Sequence, residues 1–166
     1  KVAEKEGGEA VAITYGDVDN GDLEALGKYG AKKVLINKSV TNMLPTKLAK
    51  LTAAAAEQEG ADIIVFAQDF TGKSVAPILS AKLKAGLVSG AVDYPDTTDG
   101  FVVKKNVFSG KAFAMYKVNT EKKVISILPN SVGKEEVDGT AQVEEFSADL
   151  GDSRITVTNV EKANTD

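Results

Sequence analysis

The sequence predicts an α/β domain of three layers, doubly wound around a mostly parallel sheet with antiparallel strands added. Three observations predict it. Through the first half, short β-branched apolar runs alternate with amphipathic stretches of helical period, a pattern that calls for parallel strands, right-handed crossovers and helices on both faces. After Ala85 the alternation stops, and strand-like runs follow one another across turn residues. With 166 residues, 43% of them hydrophobic and 27% charged, the chain suits one water-soluble domain with its own core.

Residues 1–6 read as the last turns of a helix that stops at Gly7-Gly8. A helix tail feeding straight into an apolar strand, with no initiator Met, suggests that an earlier strand and part of that helix are missing. Residues 10–15 (AVAITY) are a glycine-bounded, β-branched run, read as a strand buried on both faces. A short helix over 22–29 ends at Gly30, a buried strand follows at 33–36 (KVLI), and a polar loop runs through Asn42. Pro45 suits the first turn of an Ala-rich helix that reaches Glu59 and stops at Gly60. A strand at 62–66 (DIIVF) leads to a helix over 72–83, with Val75, Ile78, Leu79 and Leu83 at helical spacing and Gly86 just beyond. Strands are then expected at 87–92, 101–107, 112–118 and 124–128, with turns at Asp99-Gly100 and Ser109-Gly110. Residues 142–146 and 154–160 alternate apolar and polar side chains, as edge strands do, and Asn164-Thr165-Asp166 reads as linker.

Composition excludes several classes of function. There is no cysteine and no histidine, which removes disulfides, thiolate metal sites and every Ser-His-Asp or Cys-His mechanism. A net charge of -4 with no run of Lys or Arg longer than two offers no broad field for a phosphate backbone, so no nucleic acid is expected. No apolar run approaches the roughly 20 residues that cross a bilayer, and the start has no signal-peptide core. Membrane insertion is therefore not expected, and the absence of cysteine suits a cytoplasmic location.

The sharpest motif is residues 67–74 (AQDFTGKS), a relaxed phosphate-binding pattern between a strand and a helix. In such a loop backbone N–H groups wrap the phosphates, Lys neutralises them and the Ser hydroxyl holds magnesium. That makes Gly72-Lys73-Ser74 the basis of the alternative reading, an adenine-nucleotide-binding protein. Against it, Ala67 replaces the first glycine and Asp69 brings a carboxylate to the phosphates; the structural reading is a helix start capped by Thr71 or Asp69, with Lys73 solvated. Asp17, Asp19 and Asp22 resemble part of a calcium loop but lack its distal bidentate Glu, and capping accounts for them. Glu135, Glu136, Asp138, Glu144 and Glu145 read as a solvated edge. Tyr29, Tyr94, Tyr116, Phe101, Phe108 and Phe113 have no basic signature for base stacking, and core packing and turns account for them.

Residues 13–35 (ITYGDVDNGDLEALGKYGAKKVL) contain Tyr29-Gly30-Ala31-Lys32-Lys33-Val34 after a strand and a short acidic helix, and residues 60–88 (GADIIVFAQDFTGKSVAPILSAKLKAGLV) join a Gly-Ala-Asp strand to a Thr-Gly-x-x-x-Ala-Pro helix start. Gly72, Ala76, Pro77, Leu79, Ala81, Leu83, Gly86, Leu87, Val88 and Ser89 fit that second pattern; Phe108-Ser109-Gly110-Lys111-Ala112 and Leu128-Pro129-Asn130 add two turns. Together these resemble the electron transfer flavoprotein α-subunit family over residues 9–160. Lys73-Ser74 stands at the family's Arg-Asp, Gly90 at its Asp and Leu128 at its Arg. The resemblance implies an adenine-nucleotide-α-hydrolase-like fold and an amino-terminal domain over 1–162, with 163–166 starting a linker to an FAD-binding domain. It also implies a heterodimer with a β subunit, FAD held mainly outside this segment, electrons taken from acyl-CoA dehydrogenases as in fatty acid β-oxidation, and delivery to a quinone-linked oxidoreductase. It places no catalytic, cofactor-binding or metal residue on this chain, whose implied role is scaffold and docking domain of an electron carrier rather than enzyme.

Overall fold

A computed structural model describes residues 1–40, 44–152 and 155–161. In chain order its elements are α1 (Val2–Lys5), β1 (Ala10–Tyr15), α2 (Asn20–Glu24), a 3-10 turn (Ala25–Tyr29), β2 (Ala31–Asn37), α3 (Pro45–Gln58), β3 (Ile63–Ala67), α4 (Phe70–Leu83), β4 (Gly86–Ala91), β5 (Phe101–Val107), β6 (Ala112–Val118), β7 (Lys123–Ile127) and β8 (Gln142–Glu145). The α/β class and its βα alternation are as the sequence predicts, and Pro45 opens α3 at the first turn. The strands form two sheets, β1-β2-β8 and β3-β7-β4-β5-β6.

The three-stranded sheet is parallel throughout. Its central strand carries Val34, Leu35 and Ile36, all essentially inaccessible, and their period of two divides them between faces. Val34 and Ile36 join Leu23 of α2 and Ala141 in one cluster, while Leu35 joins the apolar side of α3 in another. That makes three layers here. The expectation that residues 10–15 are buried on both faces is corrected: β1 is an edge strand, with Ala10 and Val11 exposed and the others half-buried. It has β2 as its neighbour on one side, and two-sided burial needs cover that the described chain does not supply. Residues 142–146 pair with β2 in parallel at the opposite edge, where Phe146 N–H continues the ladder to the Ile36 carbonyl at 2.8 Å.

How that last strand reaches its place depends on one glycine. Ala141 N–H donates to the Glu24 carbonyl at 3.0 Å and Val137 N–H to the Lys28 carbonyl at 2.8 Å, so the returning chain runs against the 3-10 turn. A Cβ on Gly27 would lie 2.4 Å from Ala141 N and from Thr140 backbone atoms. Only a residue without a side chain lets two backbones approach so closely.

In the five-stranded sheet β7 lies between β3 and β4 and is parallel to both. Residues 124–128, expected among the antiparallel additions, therefore belong to the parallel core, and β5 and β6 are the antiparallel part. β4 and β5 share a single register pair, Ala91 with Lys105, because the β5–β6 ribbon turns over the sheet. It sets Phe101, Val103 and Val118 against Val88, Ile125 and Ile127 and brings Val118 beside Gly86 at the start of β4. The opposite face belongs to α4, whose Val75, Ala76 and Leu79 meet Ile64, Val124 and the alanines of α3 in the core shared by both sheets. One outer layer of this sheet is thus helical and the other a β ribbon. Residues 155–160, expected as part of an edge strand, are irregular and exposed, and Arg154, Asn42 and residues 163–166 lie outside the described residues.

Candidate functional site

Open parallel sheets take ligands outside the carboxyl ends of their strands, where helix N-termini point. The start of α4 after β3 is that position here. Asp69 is its N-cap, and its Oδ1 accepts from the Gly72 N–H at 2.7 Å. The carboxylate thus sits where a phosphate oxygen would have to sit and satisfies the amide that would bind it. Ser74 Oγ donates back into the helix, to the carbonyls of Phe70 at 2.7 Å and Thr71 at 2.9 Å, and Lys73 is exposed. Gly72 is used for packing, since a Cβ there would lie 1.8 Å from the Ala67 carbonyl oxygen. Behind the loop the strand ends are tied together: fully buried Ser126 donates to Gln68 Oε1 and accepts from Gly90 N–H at 3.3 Å. The residues at this helix start do not fit the pyrophosphate of a flavin or a nucleotide.

Replacing Asp69 by Ala leaves the Gly72 amide without its cap and is expected to cost about 1 kcal/mol, within the 0.5–2 kcal/mol of such caps. The check is a lower urea midpoint at unchanged slope; a rise in Tm of the unmodified protein on adding ATP would overturn the capping assignment.

The other acidic groups have ordinary partners. Asp19 caps α2, accepting from Gly21 N–H at 2.8 Å, and Asp22 lies in the first turn of that helix. Among the described residues no three acidic side chains converge as a metal site. Glu135 pairs with Lys1 at 2.8 Å, Glu144 with Lys33 at 3.6 Å, Glu145 with Lys38 at 2.9 Å, and Glu136 accepts from the Tyr29 hydroxyl at 3.5 Å. Asp138 is exposed. The hydrogen bond from Lys33, with a second from Gln58, holds the Glu59 carboxyl below the usual carboxylate range, and the same pair raises Lys33. The Lys33–Glu59 contact fastens β2 to the end of α3.

The aromatic residues divide differently from the sequence reading. Phe101 is buried and the Tyr94 hydroxyl donates to the Gly133 carbonyl at 3.3 Å, so core and turn account for those two. Phe113 and Met115 of β6, however, are each 61% exposed, and Phe108 at the ribbon's tip is 81% exposed. Phe113 faces outward because Val118, on the opposite face of the strand, lies on the side turned to the core; Tyr116, on the same side as Val118, is itself 44% exposed. Lys104 Nζ stands 4.4 Å from the centre of the Phe113 ring. That residues 112–118 form a strand was legible in the sequence; which of its faces lies against the sheet was not.

Comparison with known proteins adds a family. A model of the electron transfer flavoprotein domain matches residues 1–150. The electron transfer flavoprotein subunit alpha of Bacillus subtilis is 28% identical over 164 residues, covering 96% of this chain and 50% of the relative. The protein of the same name from Syntrophomonas wolfei is 28% identical over 129 residues, covering 76% and 41%. The chain thus spans about half the length of the curated relatives it matches.

Proposed function

The chain belongs to the electron transfer flavoprotein family, as an α-subunit amino-terminal domain, and from that premise we propose that it is the scaffold over which the flavin of a two-subunit electron carrier is held. The observation that carries this reading is the family match, which runs from residue 1 to residue 150. In this reading residues 1–162 dock against a β subunit, and FAD is carried by the remainder of the full-length α subunit. The capped start of α4 supports that division, because the helix end best placed to take a pyrophosphate already holds a carboxylate. The domain has no catalytic group of its own. The carrier takes electrons from acyl-CoA and related dehydrogenases and passes them to a quinone-linked oxidoreductase, working in the cytoplasm. No helix among the described residues is long and apolar enough to cross a membrane.

The test is the visible spectrum and the subunit masses of the native protein that contains this segment. A yellow, flavin-absorbing complex of a longer α chain with a second subunit is expected, and adding an acyl-CoA with its dehydrogenase should bleach the flavin band. A colourless chain of about this size would overturn the reading; a yellow complex that no acyl-CoA dehydrogenase reduces would overturn the donor class alone.

A further inference from the structure

The acidic turn that opens α2 carries a chemistry beyond capping. Residues 17–22 read Asp-Val-Asp-Asn-Gly-Asp, and Asn20-Gly21 is the chain's one Asn-Gly pair; its other seven asparagines precede Lys, Met, Val, Thr or Ser. Asparagine is thermolabile, because the backbone nitrogen of the next residue can attack its side-chain carbonyl carbon. That attack goes best when the next residue has no Cβ in the way and a backbone free to turn, which only glycine supplies. Asp19, Asn20 and Gly21 are all exposed, so solvent reaches the reacting atoms.

The structure also shows what restrains the reaction. Gly21 N–H is one of the amides at a helix start that the helix itself leaves unpaired, and Asp19 Oδ1 accepts from it at 2.8 Å. This bond holds the proton that the nitrogen must lose, and the carboxylate's charge opposes the amide anion that would form. The restraint is local, since α2 is only five residues long and a helix so short depends on its packing and its cap.

We propose that Asn20 is a deamidation site of this protein and that the Asp19 cap sets its rate. When the first turn opens, Gly21 N gives its proton to solvent base and bonds to Asn20 Cγ. The Cγ–Nδ2 bond breaks, ammonia leaves, and a five-membered succinimide remains. Water then opens the ring at one carbonyl to give aspartate or at the other to give isoaspartate, so that overall one water is taken up and one ammonia released. Aspartate adds a negative charge between Asp19 and Asp22. Isoaspartate routes the main chain through Cβ and lengthens it by one carbon, just ahead of two contacts. Leu23 is buried with Val34, Ile36 and Ala141, and the Glu24 carbonyl accepts from Ala141 N–H at 3.0 Å. The modification therefore acts on the contact that seats the chain entering β8. It does not depend on the electron-carrier reading.

The full-length protein is aged at alkaline pH as wild type, as Asp19→Ala and as Asp19→Ser, which still caps but has no charge. Peptide mass spectrometry reads deamidation at each asparagine, and enzymatic methylation reads isoaspartate. Asn20 is expected to react ahead of the other exposed asparagines, Asn106, Asn119, Asn130 and Asn159. With Asn130 as internal clock, Asp19→Ala should react at Asn20 about fivefold faster, the factor that a cap worth about 1 kcal/mol puts on the opening equilibrium. Asp19→Ser should stay near the wild-type rate. Circular dichroism checks that each variant is folded. Reaction at Asn130 or Asn159 before Asn20 would overturn the site. Equal rates at Asn20 in Asp19→Ala and wild type would overturn the role of the cap.

Discussion

Replacing Gly72 with alanine is expected to destabilise the domain by about 3 kcal/mol or more, the upper range for overpacking a tight contact. On helix propensity alone the sign would be opposite, because a glycine inside a helix costs about 1 kcal/mol relative to alanine. The contact decides. A Cβ at this position would stand 1.8 Å from the Ala67 carbonyl oxygen and 3.2 Å from the Phe66 Cβ. The first of these is a backbone atom at the end of β3, which no rotamer change can move. The helix must instead lift from the strand, which disturbs the Asp69 cap two residues into the connection and the buried contacts of Val75 and Ala76 one turn further on. Chemical unfolding reads the loss directly: the midpoint should fall at unchanged slope. A variant as stable as the parent would mean that α4 does not lie this close to β3.

The same glycine marks where sequence reasoning succeeds and where it stops. Residues 33–36 and 62–66 declare themselves as strands, and 45–59 as a helix, because each depends on period, branching and end signals within a dozen residues. The capped reading of residues 67–74 was legible for the same reason: Asp69 lies three residues before the amide it satisfies. Pairing is not a local property. Nothing in 124–128 says that the strand inserts between β3 and β4 rather than extending the ribbon that precedes it, and nothing in 10–15 says that its outer edge has no neighbour among the described residues. The exposed Phe113 and Met115 follow from that same non-local fact. The ribbon has one face on the core because it turns over the sheet, and alternation alone assigns the apolar residues of such a strand to either side.

The second large effect is expected at the junction of the two sheets. Leu51 of α3 is fully buried in a cluster that draws Leu35 from the three-stranded sheet and Ile64 and Val124 from the five-stranded sheet, with Val75 and Leu79 of α4 between them. Leu51→Ala should cost about 2–5 kcal/mol, the lost transfer free energy plus the cavity left behind. Part of the cavity should persist, because the next turn of α3 offers only Ala54 and Ala55, which have no side chain to swing into it. Against a total stability of about 5–15 kcal/mol, that is a large share. The two sheets share no strand pairing among the described residues, so their coupling depends on this apolar layer. One cooperative core predicts that amide exchange in β2 and in β7 accelerates together in the variant. Faster exchange in one sheet alone would show that the sheets unfold as separate units. The scaffold role would then need the second subunit to hold them together.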